Sequence, residues 1–249
     1  MSYARPPITE AVIDIQVDYP SPPDIALYER FTKTVQASLP VSAPLHLFEM
    51  GIENNAAGSG ALQVKSGGAP VTIGMRAASP ASDRVAQIHQ RGFTFSMQAP
   101  YAGWDAFSAE AQAVWTTFLE LVGPQRVNRV GVRYINRIVI PQQRIEFEDY
   151  FRLYPAIPKD VPQDVTGCFM QLVMPQADLG PGANAIVNFA GEPNAVPGAI
   201  SFLLDIDVYC NAMLEARTDL IWEHLDKLRV RKNQLFEASI TDRTRELFQ

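Results

Sequence analysis

Alternating apolar and polar residues near the start of the chain predict its first strand. Over Ile8–Tyr19 most odd positions are apolar and most even positions are polar. A period of two residues indicates a strand with one buried face and one wetter face. A proline-rich break follows, and Asp24 is a suitable N-cap for a helix that begins at Ile25 and ends before Pro40.

The same patterns extend over the rest of the chain. Short apolar runs separated by Gly, Asn, Ser and Pro predict strands over Leu45–Ile52, Ala61–Lys65, Val71–Arg76, Arg84–Gln98, Val127–Ile140, Cys168–Met174, Ala185–Ala190 and Ala199–Tyr209. Apolar residues at helical spacing predict helices over Trp104–Val122, over Glu146–Leu153 and after Thr218. The buried stripe of the first of these helices is expected to contain Phe107, Ala111, Val114, Trp115, Phe118 and Leu121. A capping-box pattern at Ser239–Asp242 predicts a last helical turn.

This order of elements predicts an α+β fold. The strands come in runs joined by short turns, which favours a curved antiparallel sheet gripping the long helices over βαβ units. Residues 1–126 and 127–249 each contain a strand, a helix, several strands and a long helix. Duplication and coincidence both explain this repeat of pattern, and the two halves are expected to pack as one globular unit.

Composition restricts the classes of function. Of the 249 residues, 47% are hydrophobic, which excludes disorder as the main state. The net charge of -6 argues against nucleic acid as a partner, because a phosphate-backbone binder is normally basic. The first residues lack the apolar core of a signal peptide, and no apolar run is long enough to span a membrane. The two cysteines, Cys168 and Cys210, fit free thiols in a reducing cytoplasm.

Three arginines provide the most suggestive chemistry. Arg129, Arg133 and Arg137 alternate along the strand Val127–Ile140 and therefore share one face, where Gly131 leaves space between side chains. Together they predict a binding site for a carboxylate or phosphate, held by two-pronged hydrogen bonds. The structural alternative, which we favour, pairs them with carboxylates on neighbouring strands. The candidate carboxylates are Asp205, Asp207, Glu10 and Asp14.

Two further polar features are interpreted structurally. Asn136 lies on the apolar face of the same strand, where it needs a hydrogen-bond partner and is expected to fix a loop. The basic run Lys227–Lys232 lies on a predicted helix and is interpreted as a solvated helix face. The alternative interpretation of this run is a docking surface for an acidic partner.

Enzymatic motifs are not found in the sequence. His46, His89 and His224 lie in three different elements without metal-ligand spacing, and no nucleophile elbow, Walker loop or dinucleotide-binding turn occurs. The sequence therefore predicts no catalytic residue, no metal and no cofactor.

Three motifs resemble those of a known family. They are Pro-Pro-Ile-Thr-Glu-Ala-Val at residues 6–12, Gly-Val-Arg-Tyr-Ile-Asn-Arg at residues 131–137, and Phe-Glu-Ala-Ser-Ile-Thr-Asp at residues 236–242. With these motifs the chain resembles a sporadically distributed family of bacterial and archaeal proteins of about this length. The family has no assigned activity, so the resemblance implies a prokaryotic protein with an accessory or defence-associated role and no catalytic residue.

The sequence thus predicts a non-enzymatic binding module for an unknown protein partner or a small anionic ligand. One alternative is a hydrolase or phosphate-processing enzyme with its site around Arg129, Arg133 and Arg137. Another is a nucleic-acid-associated component of a prokaryotic defence system that uses Lys227–Lys232. The sequence leaves the oligomeric state open.

Overall fold

A computed structural model of the protein describes residues 3–47, 50–53, 63–66, 71–192, 197–211 and 213–249. The strands are β1 Ile8–Asp18, β2 Val41–Leu47, β3 Met50–Glu53, β4 Gln63–Ser66, β5 Val71–Ala78, β6 Arg84–His89, β7 Gly92–Gln98, β8 Arg126–Ile140, β9 Phe169–Pro175, β10 Ala183–Glu192, β11 Ile200–Cys210 and β12 Leu214–Glu215. The helices are α1 Ile25–Thr34, α2 Trp104–Val122, α3 Phe147–Tyr150, α4 Thr218–Ser239 and α5 Asp242–Glu246, and Ala177–Leu179 form a 3-10 turn.

One open antiparallel sheet organises the fold. Its strands lie in the order β2-β5-β6-β7-β1-β8-β11-β10-β9, and the short strand β12 pairs with β8. Every neighbouring pair is antiparallel, and β3 and β4 form a separate two-stranded sheet. The predicted α+β class with an antiparallel sheet is confirmed.

The sheet places the first strand of each half at its centre. β1 and β8 are neighbours, and the other strands of each half return from an edge towards them, as β5-β6-β7 on one side and β9-β10-β11 on the other. A long helix follows each set, α2 after β7 and α4 after β12. The sheet is continuous across the predicted boundary between residues 126 and 127, so the halves share one sheet. Duplication as the origin of this arrangement stays a hypothesis.

The long helices cover one face of the sheet, which we call the inner face. α2 packs against β7, and α4 packs against β8 and β11. Two indole hydrogen bonds join these helices: Trp104 Nε1 donates to Asp226 at 2.8 Å, and Trp222 Nε1 donates to Ser108 at 2.8 Å. The opposite face, which we call the outer face, presents the polar positions of β1, β8 and β11.

The apolar stripe of α2 forms the centre of the core. The buried residues on this helix are Trp104, Phe107, Ala111, Val114, Trp115 and Phe118. The rings of Trp115 and Phe118 stack with centroids 5.1 Å apart, and both also contact Phe93 of β7. The predicted stripe is confirmed except at Leu121, which is only partly buried because the helix ends one residue later, at Val122.

Three predicted boundaries are wrong. The strand predicted over Arg84–Gln98 is a hairpin of β6 and β7 with Gln90 and Arg91 at the turn. Gly92 completes this turn with φ of 146°, and a Cβ there would lie 2.2 Å from the carbonyl oxygen of Ile15. The strand predicted over Leu45–Ile52 begins earlier, at Val41, and β2 ends at Leu47.

The helix boundaries differ in smaller ways. The first helix is capped by Asp24 as predicted, since its side chain accepts a hydrogen bond from the backbone of Leu27 at 2.8 Å, but α1 ends at Thr34. The last helix, α5, is capped by Thr241 in place of Ser239. The Ser239 hydroxyl donates back into α4, to the carbonyl oxygen of Leu235 at 2.7 Å, and this bond removes it from the capping position.

Candidate functional site

The three arginines of β8 follow one another at intervals of four residues on the outer face, as the strand periodicity predicted. We call Arg129, Arg133 and Arg137 the arginine strip. Their neighbours Val130, Val132, Tyr134 and Ile138 are buried on the inner face. In the antiparallel registers, β1 lies on one side of the strip and β11 on the other, and both strands carry carboxylates on the outer face.

Arg129 lies between two carboxylates. It donates through Nη1 to Asp14 of β1 and through Nη2 to Asp207 of β11, the latter at 3.0 Å. Its guanidinium carbon also lies 4.3 Å from the ring centroid of Tyr209. Burial raises the pKa of Asp207 above its ordinary value, and the positive charge of Arg129 opposes this shift. This end of the strip is thus a closed charge cluster.

Gly131 makes room for that cluster. A Cβ at this position would lie 3.0 Å from Arg129 Nη1 and 3.0 Å from the Cβ of Tyr209. Both contacts are tighter than those of most side chains, so a larger residue would require the guanidinium and Tyr209 to shift by a few tenths of an ångström. The space beside Gly131 is occupied by the Arg129 guanidinium and the Tyr209 side chain, and a role of this space in binding an anion stays a prediction.

Arg133 and Arg137 each hold one carboxylate in a two-pronged geometry. Arg133 donates through Nε and Nη2 to the two oxygens of Asp205, each at 2.8 Å. Arg137 donates through the same two atoms to Glu192 of β10, at 2.7 and 2.9 Å. The hydrogen bonds to these carboxylates raise the pKa of both arginines. Paired charges of this geometry are stronger than single contacts.

Exposure is unequal within these two pairs. The side chains of Arg133 and Arg137 are 49% and 47% exposed, whereas those of Asp205 and Glu192 are 11% and 16% exposed. Asp205 also accepts a hydrogen bond from Asn188 at 2.9 Å. The carboxylates are therefore covered, and the guanidinium groups are presented to solvent.

The ion pairs agree only in part with the carboxylates expected from the sequence. Asp14, Asp205 and Asp207 pair with the strip as predicted. Glu10 forms no ion pair among the described residues, and Glu192, which was not predicted, takes its place. Glu192 lies on β10, two strands away from β8, so only the length of the Arg137 side chain brings them together. A ligand-binding role of the arginine strip stays a prediction.

Beneath the strip, the inner face of β8 holds a second polar cluster that the sequence did not reveal. Lys232 of α4 is 6% exposed, and its Nζ lies 3.6 Å from the ring centroid of Tyr134. The Tyr134 and Tyr101 hydroxyls are 2.8 Å apart. Lys232 makes no hydrogen bond or ion pair with the described residues, and burial lowers its pKa to about 7. Arg229 lowers the pKa further, and Glu237 raises it.

The basic run Lys227–Lys232 is therefore not one solvated face. Lys232 points into the core, Arg231 pairs with Asp178, and Lys227 pairs with Glu223 at 2.8 Å. A helix turns about 100° per residue, so the four basic residues within these six positions cannot share one side.

Asn136 is buried as predicted, but its partners differ from the expected loop. Its amide donates to the carbonyl oxygens of Leu204 at 2.9 Å and of Tyr134 at 3.2 Å. The register between β1 and β8 shifts between Ile8 and Glu10, beside Asn136. Its side chain therefore satisfies strand carbonyl groups at an irregularity of the sheet.

The described residues contain no group of three or more His, Cys, Asp and Glu side chains that could hold a metal ion. In the same parts of the chain, no helix is both long and apolar enough to cross a membrane. No protein-family profile, curated protein or solved structure matches this chain. The resemblance to the sporadically distributed prokaryotic family therefore stays a prediction.

Proposed function

We propose that this chain is a binding module for a protein partner, and that the partner contacts Arg133 and Arg137 on the outer face. The observation that carries the proposal is the unequal exposure of the two ion pairs. Each arginine uses Nε and Nη2 for its carboxylate, and Nη1 makes no hydrogen bond to the described residues. The surface therefore offers N–H donors in fixed positions to a partner that supplies acceptors.

The charge of the strip favours a protein over a free inorganic anion. Three guanidinium groups face four carboxylates, those of Asp14, Asp205, Asp207 and Glu192. Phosphate would meet these negative charges beside the arginines, and like charges at short range repel. Carbonyl, amide or single carboxylate oxygens on a protein surface can accept from Nη1 with less repulsion.

The same contacts weigh against the two alternative functions. Phosphate-processing chemistry at the strip would use an unpaired carboxylate or histidine as acid or base. Each carboxylate that touches the strip is occupied by an arginine instead. Nucleic-acid binding through Lys227–Lys232 would need a continuous basic face, and that run is divided between the core and two ion pairs.

Photo-crosslinking in the native cells tests the proposal. We expect p-benzoylphenylalanine at Ile135, which lies between Arg133 and Arg137 on the outer face, to capture a defined protein. The double variant Arg133→Gln, Arg137→Gln should lose this product. The matched control is Arg144→Gln, whose ion pair with Asp164 lies on the surface and involves no residue of the strip. A product that survives the double variant, or no product at all, contradicts the proposal.

Thermal denaturation distinguishes a protein partner from a small anionic ligand of the strip. Phosphate or sulfate that binds the folded state raises the melting temperature. We expect no anion-specific rise for the parent chain beyond that of Arg133→Ala in the same salt. A rise that Arg133→Ala abolishes would assign the strip to a small anionic ligand in place of a protein.

A further inference from the structure

The edge strand β9 has the features of a pairing surface. Its sequence, Phe-Met-Gln-Leu-Val-Met-Pro, carries no charge, and only its last residue is a proline. On its outer-face positions, Phe169 is 70% exposed and Val173 is 58% exposed. Edge strands are normally protected from other strands by charged residues, prolines or bulges, because their free backbone groups accept a new strand.

The hydrogen bonds to β10 show which backbone groups of β9 are free. Gly191 N donates to Cys168 O at 3.0 Å, and Gln176 N donates to Ala183 O at 2.8 Å. Hydrogen-bonded and non-hydrogen-bonded pairs alternate in an antiparallel ladder, so the even-numbered residues of β9 bond to β10. The backbone groups of Phe169, Gln171 and Val173 therefore point away from the sheet. They make no backbone hydrogen bond to any described residue.

We infer that β9 pairs with β9 of a second copy of this chain, antiparallel across a two-fold axis at Gln171. In this register Gln171 faces Gln171 of the other copy, and each Phe169 faces a Val173. All three free positions then form hydrogen-bonded pairs, and the exposed apolar side chains cover each other. Self-complementarity of this kind is what a two-fold interface requires.

Charge supports a second copy as the occupant. The chain carries a net charge of -6, so two copies repel each other on average, but β9 contributes no charge to a contact between them. Pro175 ends the free edge and in this register lies opposite Gly167, whose added Cβ would meet no atom within 4 Å. The opposite edge, β2, contains Pro44 in its middle and a register shift beside Leu45, so it is the protected edge.

Sedimentation velocity over a concentration series tests the pairing with the full chain. We expect a reversible dimer for the parent and an association at least about tenfold weaker for Val173→Lys, since lysine on an edge opposes strand addition. Ile25→Lys is the matched control, because Ile25 is 55% exposed on α1, and α1 packs against β5 and β6 towards the opposite end of the sheet from β9. A parent that is monomeric at every concentration overturns the inference, as does a dimer that both lysine variants weaken equally.

Cysteine crosslinking tests the register. Directly opposed residues in a hydrogen-bonded pair have Cα atoms about 5.5 Å apart, within the range of a disulfide. In a Cys168→Ser background, Gln171→Cys should form an intermolecular disulfide on mild oxidation. Phe169→Cys should not, because the two copies of residue 169 would be about 14 Å apart. Efficient crosslinking of Phe169→Cys, or none of Gln171→Cys in a dimeric sample, overturns the proposed two-fold.

Discussion

The two faces of β8 bury charge in different ways. On the outer face, each arginine of the strip is neutralised by carboxylates from other strands: Arg129 by β1 and β11, Arg133 by β11, and Arg137 by β10. On the inner face, Lys232 has the ring of Tyr134 as its neighbour and contacts no carboxylate of the described residues. Burial without a partner moves its pKa to about 7, so part of the charge is removed by loss of a proton. On one face of β8 the buried positive charges are stabilised by ion pairs, whereas on the other face burial favours the neutral form of the lysine.

The largest effect is expected from the apolar part of the inner face. Trp115 is fully buried, and its Nε1 has no hydrogen-bond partner among the described residues, so packing supplies its contribution to stability. Trp115→Ala should lower the free energy of unfolding by about 3–5 kcal/mol. Chemical denaturation measures this change, and Glu120→Ala on the exposed side of α2 is the control. Equal effects of the two substitutions would contradict the packing of α2 against the sheet.

The next effect is a gain in the free energy of unfolding, and it concerns Lys232. The unfolded chain binds more protons than the folded chain between pH 7 and the ordinary lysine pKa near 10.5, so stability rises with pH over this window. Lys232→Met should stabilise the protein by about 1–4 kcal/mol below pH 7. The gain should shrink as the pH approaches 10.5. Denaturation curves across this range measure it, with the exposed Lys227→Met as control. A gain that does not vary with pH would show that Lys232 is not neutralised by burial.

A smaller effect is expected on the outer face. Arg129→Ala leaves Asp14 and Asp207 partly buried without their shared cation, which should cost about 1–3 kcal/mol. Arg144→Ala breaks an ion pair whose side chains are about 80% exposed and should change stability by about 0–1 kcal/mol. Denaturation at neutral pH compares the two variants. Similar small losses for both would show that the outer-face cluster contributes no more than a surface pair.

The outer face could be predicted well from the sequence because its chemistry follows the strand period. Arg129, Arg133 and Arg137 alternate, and Asp205 and Asp207 alternate on a strand that proved to be the neighbour of β8. The contact with Glu192 could not be found in this way. It crosses an intervening strand, and the length and rotamers of a side chain are not encoded in a periodicity.

The inner-face cluster was missed although a signal exists. Ile221, Leu225, Leu228 and Phe236 mark the buried stripe of α4, and Lys232 falls four residues after Leu228 in the same series. The charge of Lys232 suggested that it is exposed, whereas its spacing from Leu228 indicates that it is buried. The structure agrees with the spacing. The hairpin at Gln90 was missed for a related reason, because Gly92 follows the turn and the strand pattern continues across it.

The central position of β1 has a consequence for synthesis on the ribosome. β1 leaves the ribosome before both of its partners, since its neighbours are β7 and β8. Its apolar side chains, Ala11, Ile13, Ile15 and Val17, are fully or almost fully buried in the finished sheet and remain without strand partners until Gly92–Gln98 has emerged. Long-range strand pairing of this kind is slow and leaves apolar surface open to aggregation. The apolar face of β1 is therefore open to aggregation in the nascent chain at least until β7 has been synthesised.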